Sequence, residues 1–494
     1  FGSRRCGFAY RGCIGTVSGM GAVSSTGPAS LEVIRALFDP ADNFEASRGF
    51  KNSADDPGCD ALAAYCILGG QPERFTAGAE ALARVRSVRA EAGHLGKKQR
   101  SQTKKPSSAA DEEVRSLDRS LGCVLGNAVG DALGAPLEFS PVRYGSTELT
   151  SMCQDDIWKS PDYNSFSLQP GQWTDDNAMA LCIADSLLCC GGFDGIDLRQ
   201  RFHLWNRYGY NNAFGRDPDR SSRASVGLGG NISESMHEWE RTAERRPQTS
   251  AGNHFTSGNG SVMRNGSIPV WFRGDLEAGM LAAYRQSKTT HGGDEAAELC
   301  RLLTFLCARF IGGAGRELLE DLSEFHSPLY NVRCLAAAKC EERHADNSDP
   351  VFGGLENRRW DWRSANYFYC QERAKDQPGY VGSYSMDAVS MALHCLHSTG
   401  SFQEATLKAA NLRGDSDSVC AVVGQLAGAL YGASAIPAAW LERVQRWDGG
   451  SIAARALMLH DHQSLPAGAA LAAAACETAL DLGSSTLRKE AAVA

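Results

Sequence analysis

The chain has no apolar run of about 18 residues or more, so no segment of it is expected to cross a membrane as a helix. It has no CxxC pair matched by a second one, which argues against a structural zinc site. It has no excess of basic residues: the formal net charge is −8, so a nucleic-acid surface is not expected. A local site can still reverse that sign for a small anion. Strand-like alternation is scarce, so the fold class expected is mostly helical. The chain starts at Phe1 rather than Met, so a targeting segment ahead of it stays an open alternative.

What is present is a globular composition. The 494 residues are 43% apolar and 22% charged, enough for two or three domains with a sizeable core. The 17 cysteines are scattered through helix-like runs, as at Cys182, Cys189, Cys190, Cys300 and Cys307. Buried, reduced thiols are the simple reading, with a reducing and therefore cytoplasmic setting.

Residues 1–95 read as a separate N-terminal region, with short amphipathic helices over SLEVIRALF, CDALAAYCILGG and FTAGAEALARVRSVRAEA but no assignable chemistry. Residues 96–113 read as an exposed polar, basic linker, whose split lysines are the one signal for a nuclear alternative. Residues 114–460 alternate helix-like runs with Gly/Asn/Asp/Pro-rich loops and form the main helical domain expected, with function carried on loops and helix starts. Residues 461–494 are expected to hold an Ala-rich helix and a frayed tail.

Two glycine stripes stand out. Gly122, Gly126, Gly130 and Gly134 recur every four residues in GCVLGNAVGDALGAP, as do Gly424, Gly428 and Gly432 in VVGQLAGALYG. A helix puts such positions on one face. Each glycine costs about 1 kcal/mol of helix propensity against alanine, so the stripes predict two helices crossing at short range.

The candidate chemistry lies in two acidic knots, each just ahead of a helix-like run. The first is Thr174-Asp175-Asp176; the second is Asp415-Ser416-Asp417-Ser418. Carboxylates and hydroxyls are the hard oxygen ligands that Mg²⁺ or Mn²⁺ take. Helix capping is the rival reading of each knot alone. Gly258-Asn259-Gly260-Ser261 could form a phosphate-binding nest or only a turn. Arg264 could meet a ligand or an acidic neighbour, and GLGG at 227–230 is a weaker glycine signal. Glu138 is an acid/base or metal-shell candidate beside the reading of a solvated loop, and His291 reads as structural or surface on its own.

Together and in order, five blocks resemble the ADP-ribosylglycohydrolase family. They are LGCVLGNAVGDALGAPLEF, GQWTDDNAMALCIADSLL, GNGSVMRNGSIPV, KTTHGGDEA and ANLRGDSDSVCAVVGQLAGALYG. The resemblance covers about Ser116 to Trp440. It implies a compact, orthogonal all-α bundle that hydrolyses the glycosidic bond between ADP-ribose and an acceptor at a binuclear centre of Mg²⁺ or Mn²⁺. It implies metal ligands at Thr174, Asp175, Asp176, Asp415, Asp417 and Ser418. It implies catalytic roles for Glu138, Asp175 and Asp176, and substrate contacts at Gly258, Asn259, Gly260, Ser261 and His291. The partner implied is an ADP-ribosylated protein or small molecule, with no nucleic acid and no membrane; oligomeric state stays open. A non-catalytic, crystallin-like protein and a hydrolase of another ribosyl substrate are the alternatives. Two departures, Arg413 and the aromatic segment 360–384, are expected to reshape acceptor recognition.

Overall fold

A computed structural model describes residues 78–101, 108–145, 147–220, 224–242, 244–253, 256–341 and 358–462. The helices expected over SLEVIRALF, CDALAAYCILGG and 465–482 lie outside those residues. Twelve helices of at least eleven residues occur among the described residues. The first six are α1 (Gly78–Ser101), α2 (Ala109–Gly134), α3 (Asp175–Cys190), α4 (Gly195–Tyr208), α5 (Gly230–Arg241) and α6 (Leu276–Lys288). Then follow α7 (Glu295–Ile311), α8 (Ser385–His397), α9 (Phe402–Leu412), α10 (Ser416–Tyr431), α11 (Ala438–Asp448) and α12 (Ser451–Asp461). Among the described residues no strand forms; the bridges Gly258 to Tyr384 and Cys340 to Arg359 stand isolated. No described helix is long and apolar enough to cross a membrane.

The glycine-striped helices are α2 and α10, and they form the centre of the bundle. Both are buried on every face over most of their length, as helices apolar all round must be. A Cβ added at Gly126 would stand 2.2 Å from the Gly424 carbonyl oxygen, and one at Gly428 would stand 1.9 Å from that of Gly122. Gly130 meets Cys420 and Gly134 meets Ser416 in the same way, so the two helices run antiparallel. That register carries the end of α2 to the start of α10, and so brings Glu138 to Asp415 and Asp417. Gly432 continues the stripe at the end of α10: with φ +83° it lies against the Asp118 carboxylate of α2.

The expected boundary near residue 95 is corrected. Helix α1 continues through Ser101, and α2 begins at Ala109 behind a capping box of Ser108 and Asp111. Lys, Gln and Arg are good helix formers, so the basic stretch extends a helix instead of breaking one. Val85 and Val88 of α1 are buried in the common core. Arg89 donates to the Ala433 and Ile436 carbonyls at 2.8 and 2.5 Å. The segment 78–101 therefore belongs to the bundle.

The two departures do not face the cleft as expected. Trp360 and Trp362 are buried and donate to Glu341 and to the Leu335 carbonyl at 2.6 and 2.7 Å. Tyr367 shares a 2.6 Å hydrogen bond with Ser390. The aromatic segment is thus an anchor, and only its end, Tyr380 and Ser383, reaches the cleft. Arg413 points to Glu148 at 2.6 Å and to the Tyr163 hydroxyl at 3.1 Å.

Arg413 holds φ +63° and ψ −147°, a backbone region near-exclusive to glycine. Arg413→Gly relieves the strain and loses the ion pair; Arg413→Ala loses the pair and keeps the strain. The glycine variant is therefore expected to be more stable than the alanine variant by about 1–2 kcal/mol in urea titrations.

Candidate active site

Three chain segments converge at the end of α2. Asp131, one turn before Gly134, is fully buried and reaches the start of α3. Its carboxylate accepts from the Thr174 amide at 3.0 Å, the Asn177 amide at 2.8 Å and the Thr174 hydroxyl at 3.0 Å. The capping that is the rival reading of Thr174 is thus supplied from another helix: the Thr174 side chain makes no cap bond. Its Oγ1 instead lies 3.0, 3.3 and 3.1 Å from oxygens of Asp131, Asp176 and Asp417. A hydroxyl has one hydrogen to give, so the remaining lone pairs need a proton or a cation between them.

The second knot closes the ring. One oxygen each from Glu138, Asp415 and Asp417 lie within 4.8 Å of one another, and all three residues are buried. Ser383 donates to Asp415, and the Ser418 amide donates to Asp417 Oδ1 at 2.8 Å. Among the described residues Glu138 Oε2 and Asp176 Oδ1 are buried without a hydrogen-bond partner. Gly227, at φ +85°, makes the approach to Asp175 possible: a Cβ there would fall 1.8 Å from Asp175 Oδ1.

Burial, and then the neighbouring carboxylates, push Glu138, Asp175, Asp176 and Asp417 well above the usual carboxylate range. Among the described residues no lysine or arginine lines the cleft above them. Orphaned buried oxygens, hard donors and uncompensated like charge fit a divalent-cation centre.

The shifts set a sign. The folded, cation-free chain binds more protons than the unfolded chain above about pH 4, so its stability falls as pH rises. In EDTA the Tm is expected to drop between about pH 5 and about pH 8. Mg²⁺ or Mn²⁺ is expected to raise it, and more so at the higher pH, because binding displaces protons. Scanning fluorimetry with and without the cation reads both.

The carboxylates floor a cleft of about 460 Å³. Gly258, Asn259, Gly260 and His291 line it, as the resemblance implies. Ser261 does not: it is buried, and its hydroxyl accepts from Ser287 at 2.8 Å. Nor is the 258–261 turn an open nest. The Asn259 amide is consumed by the Ser383 carbonyl at 2.9 Å, and its side chain by that of Gly382 at 3.0 Å. Arg264 meets neither cleft nor acid; it is buried behind the His291 loop on Gln286 and Thr290.

The weaker glycine signal at 227–230 does line the cleft: Gly227 to Gly230 form one side of it, at the start of α5. Sequence reasoning missed the aromatic wall residues. Phe139, Phe166 and Tyr380 rim the mouth, with ring centroids 6.1 and 5.2 Å from Phe139 to the other two. Asp131 was also missed; an acid inside an apolar glycine stripe was its available signal.

Fold and site together define a class: an all-α protein with a buried hard-oxygen centre at the base of a small-molecule cleft. Residues 112–467 match the model of the ADP-ribosylglycohydrolase family. An ADP-ribosylarginine hydrolase (Tri1) of Pseudomonas putida is 32% identical over 332 residues, 67% of this chain and 75% of that one. The ADP-ribosyl-[dinitrogen reductase] glycohydrolase of Rhodospirillum rubrum is 28% identical, over 66% of this chain and 90% of that one. A solved structure described as an ADP-ribosylglycohydrolase-related protein complex superimposes with a TM-score of 0.51 at 30% identity, covering 70% of this chain and 98% of that one. The chain belongs to the ADP-ribosylglycohydrolase family. Its reaction is the family's: hydrolytic release of ADP-ribose from an acceptor.

Proposed function

We propose that the acceptor is an arginine side chain, and that the bond cleaved joins its guanidine nitrogen to C1″ of ADP-ribose. The observation that carries this reading is the aromatic group that lines the same cleft as the carboxylates. Phe139, Phe166 and Tyr380 surround the mouth beside Glu138 and Asp415. A guanidinium is flat, cationic and weakly hydrated, so aromatic faces and carboxylates suit it together. A serine hydroxyl would use neither. The two ADP-ribosylarginine hydrolases among the relatives, at 32% identity, agree with it.

Thr174, Asp175, Asp176, Asp415, Asp417 and Ser418 would hold two divalent cations, Mg²⁺ or Mn²⁺, with Glu138 beside them. When bound, such ions neutralise the carboxylates and make water and ribose hydroxyls more acidic. Glu138 then takes the proton of the attacking water at its unpartnered Oε2. The water oxygen bonds to C1″ through an oxocarbenium-like state, and the C1″–N pair leaves with the guanidine. Glu138 returns the proton to that nitrogen. The glycine walls let backbone approach the diphosphate closely.

ADP-ribosyl-arginine and ADP-ribosyl-serine peptides, with Mg²⁺, Mn²⁺ or EDTA, test the proposal. The arginine peptide is expected to be preferred by at least about tenfold in kcat/KM, with EDTA abolishing release. Tyr380→Ala is expected to raise KM for it about tenfold. A serine preference overturns the acceptor assignment, and binding without turnover overturns the hydrolase.

A further inference from the structure

Four arginines are among the largest fully buried side chains, and three of them are paired with acids. Arg199 meets Glu238 at 3.0 Å, Arg201 meets Asp197 at 2.6 Å and Arg455 meets Asp185 at 2.8 Å. Arg264 has no carboxylate among its hydrogen-bond partners. Its Nε donates to Gln286 Oε1 at 3.0 Å, and one terminal nitrogen donates to the Gln286 carbonyl at 3.1 Å and to Thr290 Oγ1 at 2.8 Å. Its guanidinium lies over the Phe202 ring, 4.4 Å from the centroid. A buried cation without a direct carboxylate partner is costly, so a purely structural role explains it poorly.

The next link is Thr290. Its hydroxyl is fully buried and lies 2.8 Å from His291 Nδ1. A hydroxyl that already accepts from Arg264 still has its own hydrogen to place. Among the described residues the Thr290 hydroxyl has one acceptor within reach, Nδ1 of His291. The opposite arrangement, with Nδ1 donating, would leave a buried O–H without an acceptor, a loss of about 1–3 kcal/mol. The imidazole proton is therefore left on Nε2. That nitrogen belongs to a cleft-lining residue and lies 3.5 Å from where a Cβ of Gly258 would be.

We propose that Arg264, Thr290 and His291 form a relay that locks His291 as a neutral Nε2–H donor aimed into the cleft, toward a phosphate oxygen of the ligand. Arg264 and Thr290 are positioning residues: neither lines the cleft. The ligand half of the proposal rests on the ADP-ribose reading above; the tautomer half does not. A phosphate oxygen fits because it accepts only, and because the Arg264 guanidinium, hydrogen-bonded to neutral groups, lies behind the ring. Burial and the neighbouring cations hold the imidazole at a pKa of about 3, so the ring stays neutral across the working range.

Long-range ¹H–¹⁵N NMR of the full chain labelled with ¹⁵N-histidine reads the tautomer directly, with His291→Gln identifying the resonance. The wild-type ring is expected to be the Nε2–H tautomer without ligand, unchanged between about pH 5 and about pH 8. Thr290→Val is expected to abolish the pure tautomer and weaken ADP-ribose binding about tenfold by calorimetry. Thr290→Ser is expected to restore both to within about twofold. An Nδ1–H tautomer or a protonated ring in the wild type overturns the relay, whether or not any variant folds. So does a Thr290→Val chain with unchanged spectrum and affinity. An Nε2–H ring in a chain that binds no ADP-ribose upholds the lock and overturns the ligand reading instead.

Discussion

Asp417→Asn is expected to lower kcat/KM by at least about a thousandfold while raising the stability of the cation-free chain. The two effects share a cause. Burial, and then the charges of Asp415 and Asp131, press the Asp417 pKa upward, against the opposing pull of hydrogen bonds from Glu138 and the Ser418 amide. Removing one like charge relieves that repulsion, so Tm in EDTA is expected to rise by about 2 °C or more. The amide keeps the shape of the carboxylate, and its one oxygen can still accept from the Ser418 amide. It is a poor ligand for Mg²⁺ or Mn²⁺, so the stabilisation those ions give the wild type is expected to disappear. A variant that loses activity only by unfolding would show a lower Tm instead. A fully active variant would remove Asp417 from the centre. The pairing of lost activity with gained stability is what a site strained for function produces.

Gly126→Ala is the second large effect, and its sign runs against helix propensity. Alanine at an open helical position gains about 1 kcal/mol over glycine. Gly93 of α1 is such a position, with nothing within 4 Å of an added Cβ, and Gly93→Ala is expected to stabilise by up to that amount. At Gly126 the added methyl would lie 2.2 Å from the Gly424 carbonyl oxygen, and a backbone atom cannot rotate away. Helix α10 must slide or lift, at an expected cost of about 3 kcal/mol or more in urea unfolding. The same displacement carries Asp415 and Asp417 away from Glu138, so activity is expected to fall further than the unfolded fraction explains. Equal stability of the two alanine variants would mean that the helices do not touch.

Those two experiments separate what each level of description carries. The helical class, the paired glycine stripes and the two acidic knots were all legible in the chain, because periodicity and residue type are local properties. Motif order extended that to the family and to Glu138, Asp175, Asp176, Asp415 and Asp417 as one group. Local pattern failed where the partner is distant. Thr174 looked like its own cap, yet Asp131 does the capping from α2. Ser261 looked like a phosphate contact, yet the turn rotates it into the core against Ser287. The start of the basic stretch after residue 95 looked like a linker because composition does not report the helix that continues as far as Ser101.

By itself, then, the sequence determined which elements form and which side chains can carry hard-ligand chemistry. Only the tertiary structure decided their meeting. The antiparallel contact of Gly122, Gly126, Gly130 and Gly134 with α10 sets the distance from Glu138 to the second knot. The positive φ of Gly227 opens the space that Asp175 occupies. Arg264, read from sequence as a ligand or acid contact, lies behind His291 and acts on its ring through Thr290. Each of these depends on groups far apart in the chain being forced together by burial, and a sequence pattern records the residues but not the approach.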